Sequence, residues 1–189
     1  LRDALAAAGF PKPAMILMDL GCSSMQLDEP RRGFSFRAEG PLDMRMSAAG
    51  PTAKDVLSRL DEKALRAALK DLGDEPFAGR VAKVVVERHR VRPFKTTSEL
   101  ADFVAASIPS RAHGRRRVHP ATRLFQTLRI LVNDELGVLE RTLPIAWDAL
   151  AEGGRMAVIA FHSGEDRVVK NFFRDRAREG AAELLVKKP

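Results

Sequence analysis

Met15-Ile16-Leu17-Met18-Asp19-Leu20-Gly21 is a short apolar run that ends in an acid and then a glycine. It reads as a buried parallel strand (residues 15–20) that leads into a loop. A second run, Arg155-Met156-Ala157-Val158-Ile159-Ala160-Phe161, follows the turn pair Gly153-Gly154 and reads as another buried strand. About 130 residues separate the two runs, far more than a single crossover helix needs. Something is inserted between them.

The insert has helical spacing. Val56, Leu57 and Leu60 share one face of a first helix, and Leu65, Ala68, Leu69 and Leu72 continue the pattern up to Gly73. Residues 77–89 form a third segment with Val81, Val84 and Val85 inward. Thr96 and Glu99 have capping-box spacing and open a helix that runs to about Ser107. A basic loop over 110–119 carries Arg111, Arg115, Arg116 and Arg117. Beyond it Phe125, Leu128, Val132, Leu136, Leu139 and Leu143 step by three or four residues, which predicts one long amphipathic helix capped by Thr122. A short helical continuation from Pro144 to Ala151 follows, and Leu184-Leu185-Val186-Lys187-Lys188 reads as a final strand. Strand, long helix, turn and strand together predict an open α/β sheet with an inserted helical lobe.

Bulk properties narrow the function. The chain has 189 residues, 45% of them hydrophobic, enough for one domain or one domain with a small insert. No apolar run approaches the roughly 20 residues a membrane span needs. The start, Leu1-Arg2-Asp3-Ala4-Leu5, has neither the apolar core nor the cleavage site of a signal peptide, and it reads as a cut into a longer chain. Cys22 is the single cysteine, so no disulfide can form within the chain and a cysteine-based zinc site is not expected. Net charge is +7 and the pI is about 10.1, which favours a polyanionic partner but also describes an indifferent basic surface.

Four stretches carry candidate chemistry. In Asp19-Leu20-Gly21-Cys22-Ser23-Ser24-Met25-Gln26, the carboxylate stands at the carboxyl end of a strand, where open α/β sheets bind ligands. Asp19 can accept hydrogen bonds from an amine, Gly21 admits a group close to the backbone, and Ser23, Ser24 and Gln26 add donors and acceptors. A polar turn closed by Asp19 explains the same residues. In Arg32-Gly33-Phe34-Ser35-Phe36-Arg37 and Gly40-Pro41-Leu42-Asp43-Met44-Arg45-Met46, two aromatics near arginines suit a splayed-out base, but the residues alone favour a loop packed down by Phe34, Phe36 and the methionines. Phe161-His162-Ser163-Gly164-Glu165-Asp166-Arg167 puts His, Ser and acids at the second strand end. No Gly-x-Ser-x-Gly elbow surrounds Ser163, and no second His follows at metal-binding spacing. Ser163 reads there as a helix cap with His162 just before it. His119-Pro120-Ala121-Thr122-Arg123-Leu124-Phe125 opens the long helix with Arg123 and Arg129 near that end.

These stretches, in this order, resemble the family of bacterial and organellar 16S ribosomal RNA cytosine-N4 methyltransferases. The likeness runs from Met18 to about Phe173, and Arg92-Pro93 and Thr96-Thr97-Ser98-Glu99-Leu100 also follow the family. The resemblance implies a Rossmann-like class I methyltransferase sheet with an inserted helical domain. The domains expected from it are a methyltransferase part over 1–48 and 123–189 and a helical insert over 49–122. It implies transfer of a methyl group from S-adenosylmethionine to the exocyclic N4 of a cytidine in the decoding region of small-subunit ribosomal RNA. Asp19 and Gln26 would touch the cofactor together with Gly21 and Ser23. Asp43, His162 and Ser163 would act beside the amino group. Arg32, Phe34, Phe36, Arg45, Arg92, Arg115, Arg116 and Arg123 would meet RNA, with Arg88, Arg90 and Lys95 on phosphates. No metal is expected. The expected partner is small-subunit ribosomal RNA or the assembled subunit, in a bacterial cytoplasm or an organelle, with no membrane and with a homodimer as an allowed arrangement.

The departures are specific. Cys22 stands for the family's usual Val, Met25 for Pro and Gly164 for Leu, and the chain is shorter near Gly180–Leu184. The family's glycine-rich cofactor motif lies upstream of Asp19-Leu20-Gly21, so the N-terminal part of the sheet is expected to be missing here. A non-catalytic RNA-binding assembly factor on the same scaffold is the alternative. A DNA amino-methyltransferase is disfavoured, because Asp19-Leu20-Gly21-Cys22 stands where such enzymes carry a Pro-Pro-aromatic motif.

Overall fold

The computed structural model describes residues 2–9, 11–108 and 119–185. The order is α1 (Arg2–Ala7), β1 (Met15–Asp19), α2 (Ser24–Asp28), a 3-10 turn (Pro30–Arg32), α3 (Ala53–Arg59), α4 (Glu62–Asp71), α5 (Ala78–Val91), α6 (Thr97–Ser107), α7 (Thr122–Asn133), α8 (Glu135–Ala149), β2 (Arg155–Ile159) and α9 (Ser163–Arg178). Contacts divide the chain into two compact units, Leu1–Gly21 with Leu136–Pro189, and Cys22–Glu135.

In the first unit β1 and β2 pair in parallel, in register from Met15 opposite Arg155 to Asp19 opposite Ile159. The expected strands are therefore present, but they are not buried on both faces. Each alternates exposed and half-buried residues. Met18, Met156 and Val158 pack against Leu139 and Leu143 of α8 and Val169, Phe172 and Phe173 of α9. On the other face Met15 and Leu17 are each 63% exposed, so helices cover one side of the pair among the described residues. An apolar run of this length reads the same with one covered face or two. Leu184 and Leu185 form no strand, and the remainder of that predicted element lies outside the described residues.

The second unit is helical. Leu57, Leu65, Leu69, Val81, Val85, Leu100 and Val104 form its core with Phe94, Leu124 and Leu128. Leu65 and Leu69 are one turn apart on α4, as are Val81 and Val85 on α5, so each pair shares a face. Thr52 caps α3 in a reciprocal box with Asp55, and Asp61 caps α4. Thr96 caps α6 through the Glu99 N–H, but the Glu99 carboxylate turns instead to the Lys95 N–H and to Arg88. This unit also takes in 22–48 and α7, because Leu42, Met44, Leu124, Phe125 and Leu128 belong to the same core as the insert.

The single long helix is two helices. The chain turns at Asp134, with φ 48°, while Pro144 sits inside α8 without ending it. Asp tolerates the left-handed region better than most residues. A two-pronged ion pair from Arg129 to Glu135, at 2.8 and 2.9 Å, spans the break. Thr122 does not cap α7. Ala121 precedes the helix without a side-chain cap, and its N–H donates to His119 Nδ1.

His89 is a buried titratable group in this core. Its Nδ1 accepts the Phe94 N–H at 3.2 Å. Its Nε2 lies 3.0 Å from Ser58 Oγ, whose own proton goes to the Lys54 carbonyl, so Nε2 carries the hydrogen. Burial first, then the charges of Lys54 and Arg88, hold this imidazole below its ordinary 6.5. Above that value folded and unfolded forms are both neutral and the stability is complete. As pH falls below it the unfolded chain takes up a proton that the folded form refuses, and stability declines toward the folded-state pKa. Denaturant titrations at pH 7.5 and 5.5 are expected to give a lower midpoint at 5.5, with the difference reduced in His89→Gln; an unreduced difference would assign it to other groups.

Candidate active site

β1 delivers Asp19 to its carboxyl end, exposed, and Leu20 N–H continues the pairing to the Ile159 carbonyl at 3.1 Å. Gly21 follows with φ 96°, a conformation that glycine adopts without strain. Next to it in sequence, Ser23 caps α2 in a reciprocal box. Gln26 N–H donates to Ser23 Oγ and Ser23 N–H to Gln26 Oε1, at 3.3 and 2.9 Å. Asp19 and Gly21 belong to the first unit, Ser23 and Gln26 to the second.

The loop from Pro30 to Met46 is built around two close approaches. A Cβ on Gly33 would lie 2.1 Å from the Pro41 carbonyl, and one on Gly40 would lie 1.9 Å from the Pro30 carbonyl. Neither position admits a side chain. Phe34 is buried under the Arg32 guanidinium, 5.6 Å from the ring centre. Phe36 is half-buried, its ring tilted against that of His119 at 4.7 Å and edge-on to that of Phe125 at 4.8 Å. Arg32 donates to the carbonyls of Arg45 and Met46 at 2.8 and 3.1 Å. The packed-loop reading thus describes Phe34 and Arg32 as they stand.

Asp43 projects from this loop. Arg45 forks onto it, Nε to Oδ1 at 2.8 Å and Nη2 to Oδ2 at 2.7 Å, and the Arg45 N–H also reaches Oδ1 at 3.0 Å. These hydrogen bonds, with the charges of Arg45 and Arg32, hold the carboxyl below the usual 3.8 against a partial desolvation. Met44 beside it is fully buried at φ 61°, a costly conformation for a non-glycine. Asn133 at the end of α7 clamps it. Its Nδ2 donates to the Met44 carbonyl at 2.8 Å and its Oδ1 accepts the Met46 N–H at 2.7 Å. Sequence reading passed over Asn133. The available signal was a polar residue one turn beyond Arg129, at the end of a helix whose buried face is apolar apart from Thr127.

At the end of β2, His162 itself is the cap of α9, and Ser163 is its first helical residue. The imidazole competes well for the Glu165 N–H, which donates to Nδ1 at 3.3 Å. Nε2 lies 3.4 Å from Glu165 Oε1, ion-pair distance without a well-aligned hydrogen bond. The other carboxylate oxygen accepts the Phe161 N–H at 2.9 Å. Glu165 is buried, and its capping-box spacing from His162 was the signal that could have marked it.

The remaining basic candidates separate. Arg90, Arg92 and Lys95 are exposed, whereas Arg88 pairs with Glu99 at 2.7 Å. Arg123 is half-buried and donates to the Asp74 carbonyl. Arg115 and Arg116, with Arg111 and Arg117, lie outside the described residues. The structure therefore joins Asp43, Arg45 and Arg32 in one network, Ser23 and Gln26 in another, and His162 with Phe161 and Glu165 in a third.

Comparison with known proteins gives one consistent result. The profile of the MraW methylase family matches residues 1–188. A protein named ribosomal RNA small subunit methyltransferase H from Methylococcus capsulatus is 54% identical over 164 residues, covering 86% of this chain and 54% of that one. Proteins of the same name from Rhizobium meliloti and Heliobacterium modesticaldum are each 51% identical, covering 86% of this chain and 47% and 52% of their own lengths. The chain thus spans about half the length of the curated relatives it matches. With 188 residues matched and identities near one half, the chain belongs to the MraW methylase family.

Proposed function

We propose that the protein to which this chain belongs transfers a methyl group from S-adenosylmethionine to the exocyclic N4 of a cytidine in the decoding region of small-subunit ribosomal RNA. The relatives' names, the basic balance and the motif order support this reading. So does the state of Asp43, the observation that carries it furthest. A carboxylate offers roughly four acceptor positions. Arg45 occupies two on Oδ1 and one on Oδ2. One position on Oδ2 remains among the described residues, on a side chain 23% exposed and held ionised.

Such a group suits the chemistry. The amino lone pair of cytosine is delocalised into the ring, so the nitrogen is a poor nucleophile. An acceptor bonded to one amino hydrogen favours the pyramidal nitrogen that can attack. Methyl transfer from a bound sulfonium would leave a neutral thioether, and the amino hydrogen held by Asp43 would pass to its carboxylate and on to solvent. Asp43 accepts the hydrogen bond, and its fixed place in the Asn133-clamped loop supplies orientation with no rearrangement at the moment of reaction. The target base must leave its stack to be reached.

Asp19 at the exposed end of β1 and the bare backbone of Gly21 fit the amino-acid end of the cofactor. Ser23 and Gln26 hold the start of α2 and are assigned to the same ligand. That ligand, when bound, supplies an activated methyl group on a sulfonium. His162 has both ring nitrogens turned toward Glu165, so we assign it to holding the end of β2 rather than to moving the proton. Exposed Ser163 beside it keeps its assignment as a substrate contact. Arg90, Arg92 and Lys95 are assigned to RNA phosphates.

The experiment is single-turnover transfer of labelled methyl groups to unmodified small subunits by the full-length protein. Asp43→Asn is expected to lower the rate by about a hundredfold or more, with cofactor affinity unchanged; an unchanged rate would remove Asp43 from the reaction. RNA binding should weaken steeply with salt, and Arg92→Ala should reduce the log–log slope by about one. A slope indifferent to both salt and this substitution would reject the phosphate assignment.

A further inference from the structure

Phe161 has no part in the reading above, yet it is the most exposed aromatic ring described at either strand end, 67% accessible just past β2. A single exposed apolar side chain carries little meaning. Its surroundings give this one more. The ring lies against the bare backbone of Gly21, where an added Cβ would come within 3.2 Å of ring Cδ2. A side chain at Gly21 would crowd the ring only slightly, so the ring and the Gly21 backbone lie in contact. Behind it, the Phe161 N–H donates to Glu165 Oε2, and the Glu165 N–H donates to His162 Nδ1. Burying a carboxylate is costly unless its bonds compensate. Here a buried carboxylate fixes the backbone of the residue that carries the exposed ring. All of these groups lie in one compact unit.

We propose that Phe161 is the stacking surface for a nucleobase of the RNA substrate, and that Glu165 is a positioning residue that acts through it. The inference rests on the function proposed above. A flat ring at the carboxyl end of a parallel strand stands where open α/β sheets receive ligands. Every base has a π-face, so an aromatic ring holds an unstacked base whatever its edge pattern. The neighbouring strand end carries Asp19, whose carboxylate suits an amine rather than a ring, which leaves Phe161 to the base.

The test uses the full-length protein and unmodified small subunits, with labelled cofactor under single-turnover conditions. Phe161→Leu keeps the apolar bulk and removes the π-face, and it is expected to lower RNA-dependent transfer about five- to a hundredfold. Phe161→Trp should stay within about threefold of the parent protein by the same stacking argument. Cofactor affinity should be unchanged in both. Glu165→Ala should fall as Phe161→Leu does, and the double variant should be no worse than either, because the two act as one device. If Glu165→Ala does not fold, the Leu–Trp contrast decides, since an exposed ring can be exchanged without disturbing the core. Equal rates for Leu and the parent, or a loss of cofactor affinity in place of transfer, would overturn the inference alone. A parent protein that binds cofactor yet methylates no subunit would overturn the parent reading, and this one with it.

Discussion

The parallel pairing of β1 with β2 is the constraint from which the rest follows. A parallel pair cannot be closed by a hairpin, because the chain must return to the same end before it can run forward again. Here the return takes residues 20–154, so a long loop has to be ordered before five residue pairs can meet. The helices of the Cys22–Glu135 unit make that ordering favourable by forming a core of their own. The excursion is a folded body in its own right, with capped helices at Thr52, Asp61 and Thr96. Asp19 and Ile159 then stand side by side as the last pair of the register.

Within the helical unit, one non-glycine residue sits in an unfavourable conformation. Met44 at φ 61° persists because its side chain is fully buried, its N–H meets the Arg32 carbonyl at 3.0 Å and its own carbonyl meets Asn133. Strain held by so many bonds lies next to Asp43 and Arg45, a forked ion pair in which Oδ2 accepts a single bond among the described residues. A loop able to relax would let that carboxylate wander. The glycines at 33 and 40 serve the same end, because they let the Pro30 and Pro41 backbones come within contact of the loop's other strand.

Much of this was legible in the sequence. The apolar spacing of Leu65 with Leu69 and of Val81 with Val85 located α4 and α5, and Thr96 opened α6. The two strands and their parallel sense followed from their composition and separation. What failed has physical reasons. The row Leu128, Val132, Leu136, Leu139 runs without interruption through Asp134, so periodicity alone sees one helix. The break is set by bonds from elsewhere: Asn133 to Met44 and Met46, and the Arg129 fork onto Glu135. Among the described residues only one face of each strand is covered, a distinction that an apolar run does not record.

The helix cap at α9 shows where residue preference and geometry part. Statistics favour Ser163 over His162 as the cap. Yet capping needs only an acceptor within reach of the third N–H, and a neutral imidazole nitrogen supplies one. Choosing His here has a consequence that Ser would not have. The second ring nitrogen must then face something, and it faces the carboxylate of the same Glu165 whose N–H the ring accepts. Cap, acid and the Phe161 backbone become a closed set in which each member holds the next. Such a set holds the His162 ring and the Phe161 backbone together at the end of β2. A residue type that suggests proton transfer in the sequence thus takes, in the fold, the acceptor position of a helix cap.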